Sequence, residues 1–123
     1  VNIPLLCKAI GIKEDNIYTI NPLNLEESGR ILNEALEKNE PAVVITRWPC
    51  AIKKFSDRDK EEFDLKQKKY IINQEKCTGC RTCIRTGCPA IYSGKKIVIN
   101  QEACVGCSIC KQVCPFDAIE QEG

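Results

Sequence analysis

Of the ten cysteines in this chain of 123 residues, eight fall between Cys77 and Cys114. The later half of that run reads Cys104-Val-Gly-Cys107-Ser-Ile-Cys110-Lys-Gln-Val-Cys114-Pro115. The earlier half reads Cys77-Thr-Gly-Cys80-Arg-Thr-Cys83-Ile-Arg-Thr-Gly-Cys88-Pro89, with one extra residue before its last cysteine. Cysteines two residues apart pair poorly with one another, but all can point at one metal centre. Three thiolates on such a loop wrap three corners of an iron–sulfur cube. The fourth rides a short helix heading away and serves the other cube. The pattern therefore predicts two 4Fe–4S clusters. Cys77, Cys80, Cys83 and Cys114 would hold the first, and Cys104, Cys107, Cys110 and Cys88 the second. Gly79 and Gly106 would let the backbone approach closely and turn N–H groups toward sulfide. Pro89 and Pro115 would stop the short helices. The chemistry is one-electron transfer, and no catalytic residue is expected.

Other uses of cysteine fit less well. Zinc ribbons use two C-x2-C pairs rather than quartets closed by proline. A redox dithiol needs one pair. A secreted disulfide scaffold spreads its cysteines as staples, and the apolar stretch from Val1 to Gly11 lacks the basic leader and cleavage site of a signal peptide. The absence of histidine excludes histidine acid–base catalysis, Rieske centres and Cys/His zinc sites. Cys7, beside Leu5, Leu6 and Ile10, reads as a small buried hydrophobe. Cys50, after Arg47-Trp48-Pro49, is expected in a core or an interface, and Trp48 in packing or a domain contact.

Formal net charge is +1. Each oxidised cluster with its thiolates counts as about −2, which brings the loaded chain to about −3. Lys76, Arg81, Arg85, Lys95, Lys96 and Lys111 lie near the cysteines and read mostly as solvated surface, with guidance of an acidic ferredoxin as the sharper alternative. No Lys/Arg stripe is interleaved with aromatics, so no nucleic-acid partner is expected. No apolar run approaches the ~20 residues of a bilayer span, so no membrane partner is expected. Clustered thiols without a secretion signal point to a reducing cytoplasm.

The elements that must position these cysteines are visible as a repeat. Tyr70-Ile71-Ile72-Asn73-Gln74-Glu75 precedes Cys77, and Ile97-Val98-Ile99-Asn100-Gln101-Glu102 precedes Cys104, an offset of 27 residues. Each copy reads as a short strand, a cysteine-bearing turn, a short helix and a return strand. One copy cannot bury its apolar face alone, but two bury each other's. Upstream the pattern changes. Ile17-Tyr18-Thr19-Ile20 reads as a strand. Asn24 with Glu27 reads as a capping box opening a helix that carries Leu25, Leu32, Ala35 and Leu36. Glu40-Pro41 ends it, and Ala42-Val43-Val44-Ile45-Thr46 reads as a strand buried on both faces of a parallel sheet. This predicts a βαβ unit. Residues 53–69 form a charged linker in which Ser56 and Asp59 cap a short helix turning Phe63 and Leu65 inward.

Two features together carry a resemblance. Pro41-Ala-Val-Val-Ile-Thr-Arg-Trp-Pro-Cys50 resembles the end of the thiamine-diphosphate-binding domain of indolepyruvate:ferredoxin oxidoreductase alpha subunits. Cys77-Thr-Gly-Cys80-Arg-Thr-Cys83-Ile-Arg-Thr-Gly-Cys88-Pro-Ala resembles the ferredoxin domain that ends the same subunit, including the extra residue before Cys88. Trp48 departs from the basic residue more usual at its position. The resemblance implies an intact enzyme that oxidatively decarboxylates aryl 2-oxoacids to acyl-CoA, with thiamine diphosphate and Mg²⁺ held by a Gly-Asp-Gly motif. No Gly-Asp-Gly occurs here. The chain thus reads as a C-terminal piece that cannot hold that cofactor. Its implied partners are the remainder of the alpha subunit, a beta subunit, and ferredoxin as electron acceptor.

The expected fold is α+β: a ferredoxin-like two-fold module over residues 70–123, the charged linker over 53–69, and a βαβ fragment over 1–52. Such a fragment is too small for its own core. It is expected to pack on the module, pair through its sheet edge with a second copy, or fray. The expected function is electron relay from the thiamine-diphosphate site to ferredoxin. The alternatives are a free-standing two-cluster carrier and a zinc-stabilised interaction module.

Overall fold

The computed structural model describes residues 1–53, 55–63 and 68–122. It is an α+β structure of two compact units, Val1–Trp48 and Pro49–Gly123. Among the described residues no helix is long and apolar enough to cross a membrane.

In the first unit, helix α1 (Ile3–Ala9) starts where the Asn2 side chain accepts a hydrogen bond from the Leu5 amide at 2.9 Å. Strand β1 (Ile17–Ile20), helix α2 (Leu25–Glu37) and strand β2 (Val43–Thr46) follow. β1 and β2 run parallel, Ile17 opposite Val43 and Ile20 opposite Thr46. Asn24 caps α2: its Oδ1 accepts from the Glu27 amide at 3.2 Å, and its Nδ2 donates to Glu27 Oε2 at 3.3 Å. Such a reciprocal pair satisfies an otherwise orphaned helix N–H and fixes where the helix begins. Glu40 ties the approaches to both strands together, accepting from Lys13 and, at 3.4 Å, from the buried Asn16. The Lys13 hydrogen bond and charge hold the Glu40 carboxyl below its ordinary range.

The apolar residues of this unit are only partly used. Ile31 is the one α2 side chain that is buried among the described residues, while Leu25, Leu32 and Leu36 stand exposed. Val43, Val44 and Ile45 are half-buried rather than covered on both faces. The reason is geometric: a two-stranded sheet flanks β2 on one side and offers α2 room for one apolar stripe.

In the second unit, helix α3 (Asp57–Phe63) begins at the expected cap. The Asp59 amide donates to Ser56 Oγ at 3.2 Å, and Asp59 Oδ2 accepts from the Ser56 amide at 2.9 Å and hydroxyl at 2.7 Å. Phe63 is half-buried, and Leu65 lies outside the described residues. Strands β3 (Tyr70–Ile72), β4 (Ile91–Ser93), β5 (Ile97–Ile99) and β6 (Ile119–Gln121) and helix α4 (Ile109–Gln112) make up the rest. The pairing crosses between copies: β3 is antiparallel to β6, and β4 to β5. Equivalent residues make equivalent bonds. The Asn73 amide donates to the Ala118 carbonyl and the Asn100 amide to the Ala90 carbonyl, both at 2.8 Å. Gln74 Nε2 reaches the Ile97 carbonyl at 2.9 Å, and Gln101 Nε2 the Tyr70 carbonyl at 2.7 Å. Between the sheets lies one core of Tyr70, Cys83, Ile91, Ile97, Cys110 and Ile119.

The copies differ at two places. The extra residue in the first is Gly87, whose φ of +71° ends a 3-10 turn over Ile84–Thr86 where the second copy has α4. Gly87, not Pro89, is therefore the stop there. Gly79 and Gly106 share a left-handed backbone, φ +73° and +72°. Their surroundings differ: an added Cβ at Gly106 would lie 2.7 Å from the Lys68 carbonyl oxygen, while no protein atom lies within 4 Å of one at Gly79.

Two predictions come from this architecture. Gly79→Ala should cost about 1–2 kcal/mol, the strain of a left-handed alanine. Gly106→Ala should cost clearly more in denaturant unfolding, because Lys68 must also move; equal costs would contradict the packing. The Ser56 hydroxyl and amide, then Lys53, lower the Asp59 carboxyl from 3.8 to about 2. A depressed carboxyl stabilises above its unfolded value and loses that contribution as pH falls through the folded one. The α3 cap should thus weaken between about pH 4 and pH 2. An NMR titration should show Asp59 moving up in Ser56→Ala, and an unmoved Asp59 would contradict the cap.

Candidate metal centre

The repeated Asn-Gln-Glu tripeptide turns each chain segment out of its strand and into its cysteine loop. Asn73 Oδ1 accepts from the Glu75 amide at 3.0 Å, and Asn100 Oδ1 from the Glu102 amide at 2.8 Å. The Asn73 carbonyl then accepts from the Cys77 amide at 3.0 Å, and the Asn100 carbonyl from the Cys104 amide at 2.9 Å. Asx turns of this kind replace missing ladder bonds at a strand end. Sequence reading had the duplicated Asn73-Gln74 and Asn100-Gln101 in view but gave them no role. Their duplication was the signal. Lys76 adds a tie in the first copy, its Nζ 2.6 Å from Glu120 Oε1 on β6. That hydrogen bond, with the attraction behind it, raises Lys76 and lowers Glu120 from their ordinary ranges.

None of the ten cysteines is paired in a disulfide. Cys83 and Cys110 are buried, at 7% and 8% exposure, inside the core itself. Cys77, Cys88, Cys104, Cys107 and Cys114 are half-buried, and Cys80 is exposed. Their electrostatics sort them. Burial pushes the Cys83 thiol up, and negative charge on Cys114, Cys77 and Cys80 adds to the effect. Burial pushes Cys110 up to about 11, with Cys107, Cys88 and Cys104 adding to it. Each three-cysteine loop thus feels the fourth cysteine of the other copy. Cys77, Cys80, Cys83 and Cys114 also line one small cavity, walled by Ile72 and Ile119. Cys80 differs: the Thr82 hydroxyl, 3.4 Å from its sulfur, and the Thr82 amide hold its thiol below the ordinary range.

Chemically this is a set of soft donors in an apolar shell. Burial disfavours a bare thiolate, so Cys83 and Cys110 are expected to stay neutral until a positive metal takes the proton's place. Among the described residues no three His, Cys, Asp or Glu side chains are grouped so that they could hold a single metal ion. Cys7 is buried in the first unit and stands outside the centre. Cys50, expected in a core or an interface, is exposed, which rules out the core of this chain.

Known proteins bear on this centre. The 4Fe-4S binding domain pattern matches residues 97–120. Indolepyruvate oxidoreductase subunit IorA of Pyrococcus horikoshii is 36% identical over 94% of this chain, which covers 18% of that relative. The subunit of the same name from Methanothermobacter marburgensis is 32% identical over 100% of the chain and 19% of the relative. That of Archaeoglobus fulgidus is 39% identical over 89% and 17%. No solved structure matches. The chain carries a ferredoxin-type 4Fe-4S domain, and along nearly its whole length it is similar to indolepyruvate oxidoreductase subunit IorA, as a segment spanning less than a fifth of those relatives.

Proposed function

We propose that the second unit is a two-fold ferredoxin-like module holding two 4Fe–4S clusters with crossed ligands, and that it relays single electrons within an indolepyruvate:ferredoxin oxidoreductase. The observation that carries this reading is a shared cavity: Cys114 of the second copy lines it together with Cys77, Cys80 and Cys83 of the first. Burial, and then the neighbouring cysteines with Cys114 among them, raises the Cys83 thiol, and burial with Cys107, Cys88 and Cys104 raises Cys110 in the same way. A cube spreads its thiolates at four corners, farther apart than the ligands of one tetrahedral zinc ion with Zn–S bonds of ~2.3 Å. When bound, each cluster accepts and releases one electron. The chain's own residues hold the cubes with thiolates and keep water from them with Ile72, Ile97 and Ile119. The short β3–β6 and β4–β5 sheets keep the loops in register.

Thiamine diphosphate and Mg²⁺ do not fit these residues, since the chain has no Gly-Asp-Gly to bind them. They belong to the remainder of the alpha subunit on this reading. The first unit is then a βαβ edge of that thiamine-binding domain. The exposed Leu25, Leu32 and Leu36 and the half-covered β2 support its packing against the missing sheet. A beta subunit and external ferredoxin complete the partners, in a cytoplasm that keeps thiols reduced.

Cysteine-to-serine pairs test the crossed ligation. In chain loaded anaerobically, Cys77→Ser with Cys114→Ser should remove one cluster, leaving about four iron per chain of the original eight. Cys104→Ser with Cys114→Ser should remove both. If the first pair empties the chain and the second leaves one cluster, each copy ligates its own cube and the reading is wrong.

A further inference from the structure

We propose that the hollow over the Gly79 turn is the docking surface for an acidic electron-carrier protein, so that electrons leave through the cluster of Cys77, Cys80, Cys83 and Cys114. The proposal rests on the relay reading above. It comes from a difference between two otherwise equivalent turns. A Lys-Lys pair precedes the first strand of each copy, Lys68-Lys69 before β3 and Lys95-Lys96 before β5. In front of β3 the pair closes down: the Lys68 carbonyl oxygen lies 2.7 Å from where a Gly106 Cβ would be, and Lys69 Nζ donates to the Gln101 carbonyl. The Glu122 amide donates to the Lys69 carbonyl at 2.9 Å and holds that strand end in place. The chain itself thus covers the second cysteine turn.

In front of β5 the pair stands off. The Gly94 amide donates to the Lys96 carbonyl at 3.2 Å, which folds Lys95 and Lys96 into a tight hairpin. Nothing lies within 4 Å of a Cβ at Gly79. What remains is a hollow of about 310 Å³ whose lining includes Cys77, Thr78, Gly79, Arg81, Lys95 and Lys96. Cys77, a cluster ligand on the relay reading, is part of that lining, and exposed Cys80 belongs to the same loop. Electron transfer slows steeply with distance, so the turn with least protein over it is the better exit.

The charge of the hollow selects the partner. Arg81, Lys95 and Lys96 are exposed, and no ion pair is recorded for any of them among the described residues. By contrast Lys76 and Lys111, on neighbouring segments, are paired with Glu120 and Asp117. Three cations without carboxylates of their own fit a surface rich in Asp and Glu. With clusters the chain as a whole is about −3 and would repel an acidic protein elsewhere. A local cationic patch both steers that partner and fixes where it binds.

The test uses the loaded full chain and, as probe, an acidic two-cluster bacterial ferredoxin, with binding followed by calorimetry at low salt. Arg81→Glu, Lys95→Glu and Lys96→Glu together should weaken binding by at least about ten-fold. The same charge change at Arg30, Lys38 and Arg58 should weaken it by less than about two-fold. Iron, sulfide and the spectrum of the reduced clusters should match the unaltered chain in both variants. Equal weakening by the two variants, no weakening by the first, or no binding by the unaltered loaded chain would overturn the docking surface. A chain that takes up no iron and sulfide would overturn the relay reading and the proposal with it.

Discussion

Two buried thiols constrain the second unit. Cys83 and Cys110 sit in its single small core beside Tyr70, Ile91, Ile97 and Ile119. A unit of this size buries too little apolar surface to be robust by packing alone, and small domains commonly depend on a metal to complete them. A sulfur in the core cannot be a bare anion, and as a neutral thiol it is a modest hydrophobe. As a metal ligand it becomes a cross-link between loop and core. Folding and cluster loading are therefore expected to be one process in this unit.

The crossing of the two copies extends the same logic. The first strand of one copy pairs with the return strand of the other, β3 with β6. The remaining two strands, β4 and β5, form a hairpin. Cys88 and Cys114 each precede a return strand, so they are carried across with it. The proposed exchange of ligands would follow from the same duplication that exchanges the strands. Departures from it are instructive. Gly87 shortens a helix to a 3-10 turn, and the Lys68 backbone closes over Gly106 but has no counterpart over Gly79.

Much of this was legible in the residues, because short-range chemistry fixed it. Asn24 with Glu27 and Ser56 with Asp59 start helices where capping requires them. The strand Ile17–Ile20 appears at its expected bounds because it is a β-prone run followed by a proline turn. The cysteines proposed as ligands rest on the same kind of signal, their spacing within each copy. What depended on neighbours was not. Leu25, Leu32 and Leu36 have helical spacing yet remain exposed, since periodicity says that a face is apolar and not what covers it. Cys50 follows β2 in the chain and lies exposed, since an apolar run earlier in the sequence does not say what covers the residues after it. The asymmetry of Gly79 and Gly106 was invisible in two matching tripeptide turns, since it arises from backbone 38 residues away at Lys68.

The central claim is that the eight clustered cysteines exist to hold iron–sulfur cubes. The most direct measurement is iron, zinc and acid-labile sulfide together, on chain produced and handled without oxygen. The account predicts about eight iron and eight sulfide per chain, with a broad absorbance that bleaches on reduction by dithionite. One or two zinc ions with no sulfide, persisting after iron–sulfur reconstitution, would contradict it and leave a structural metal module in place of an electron relay.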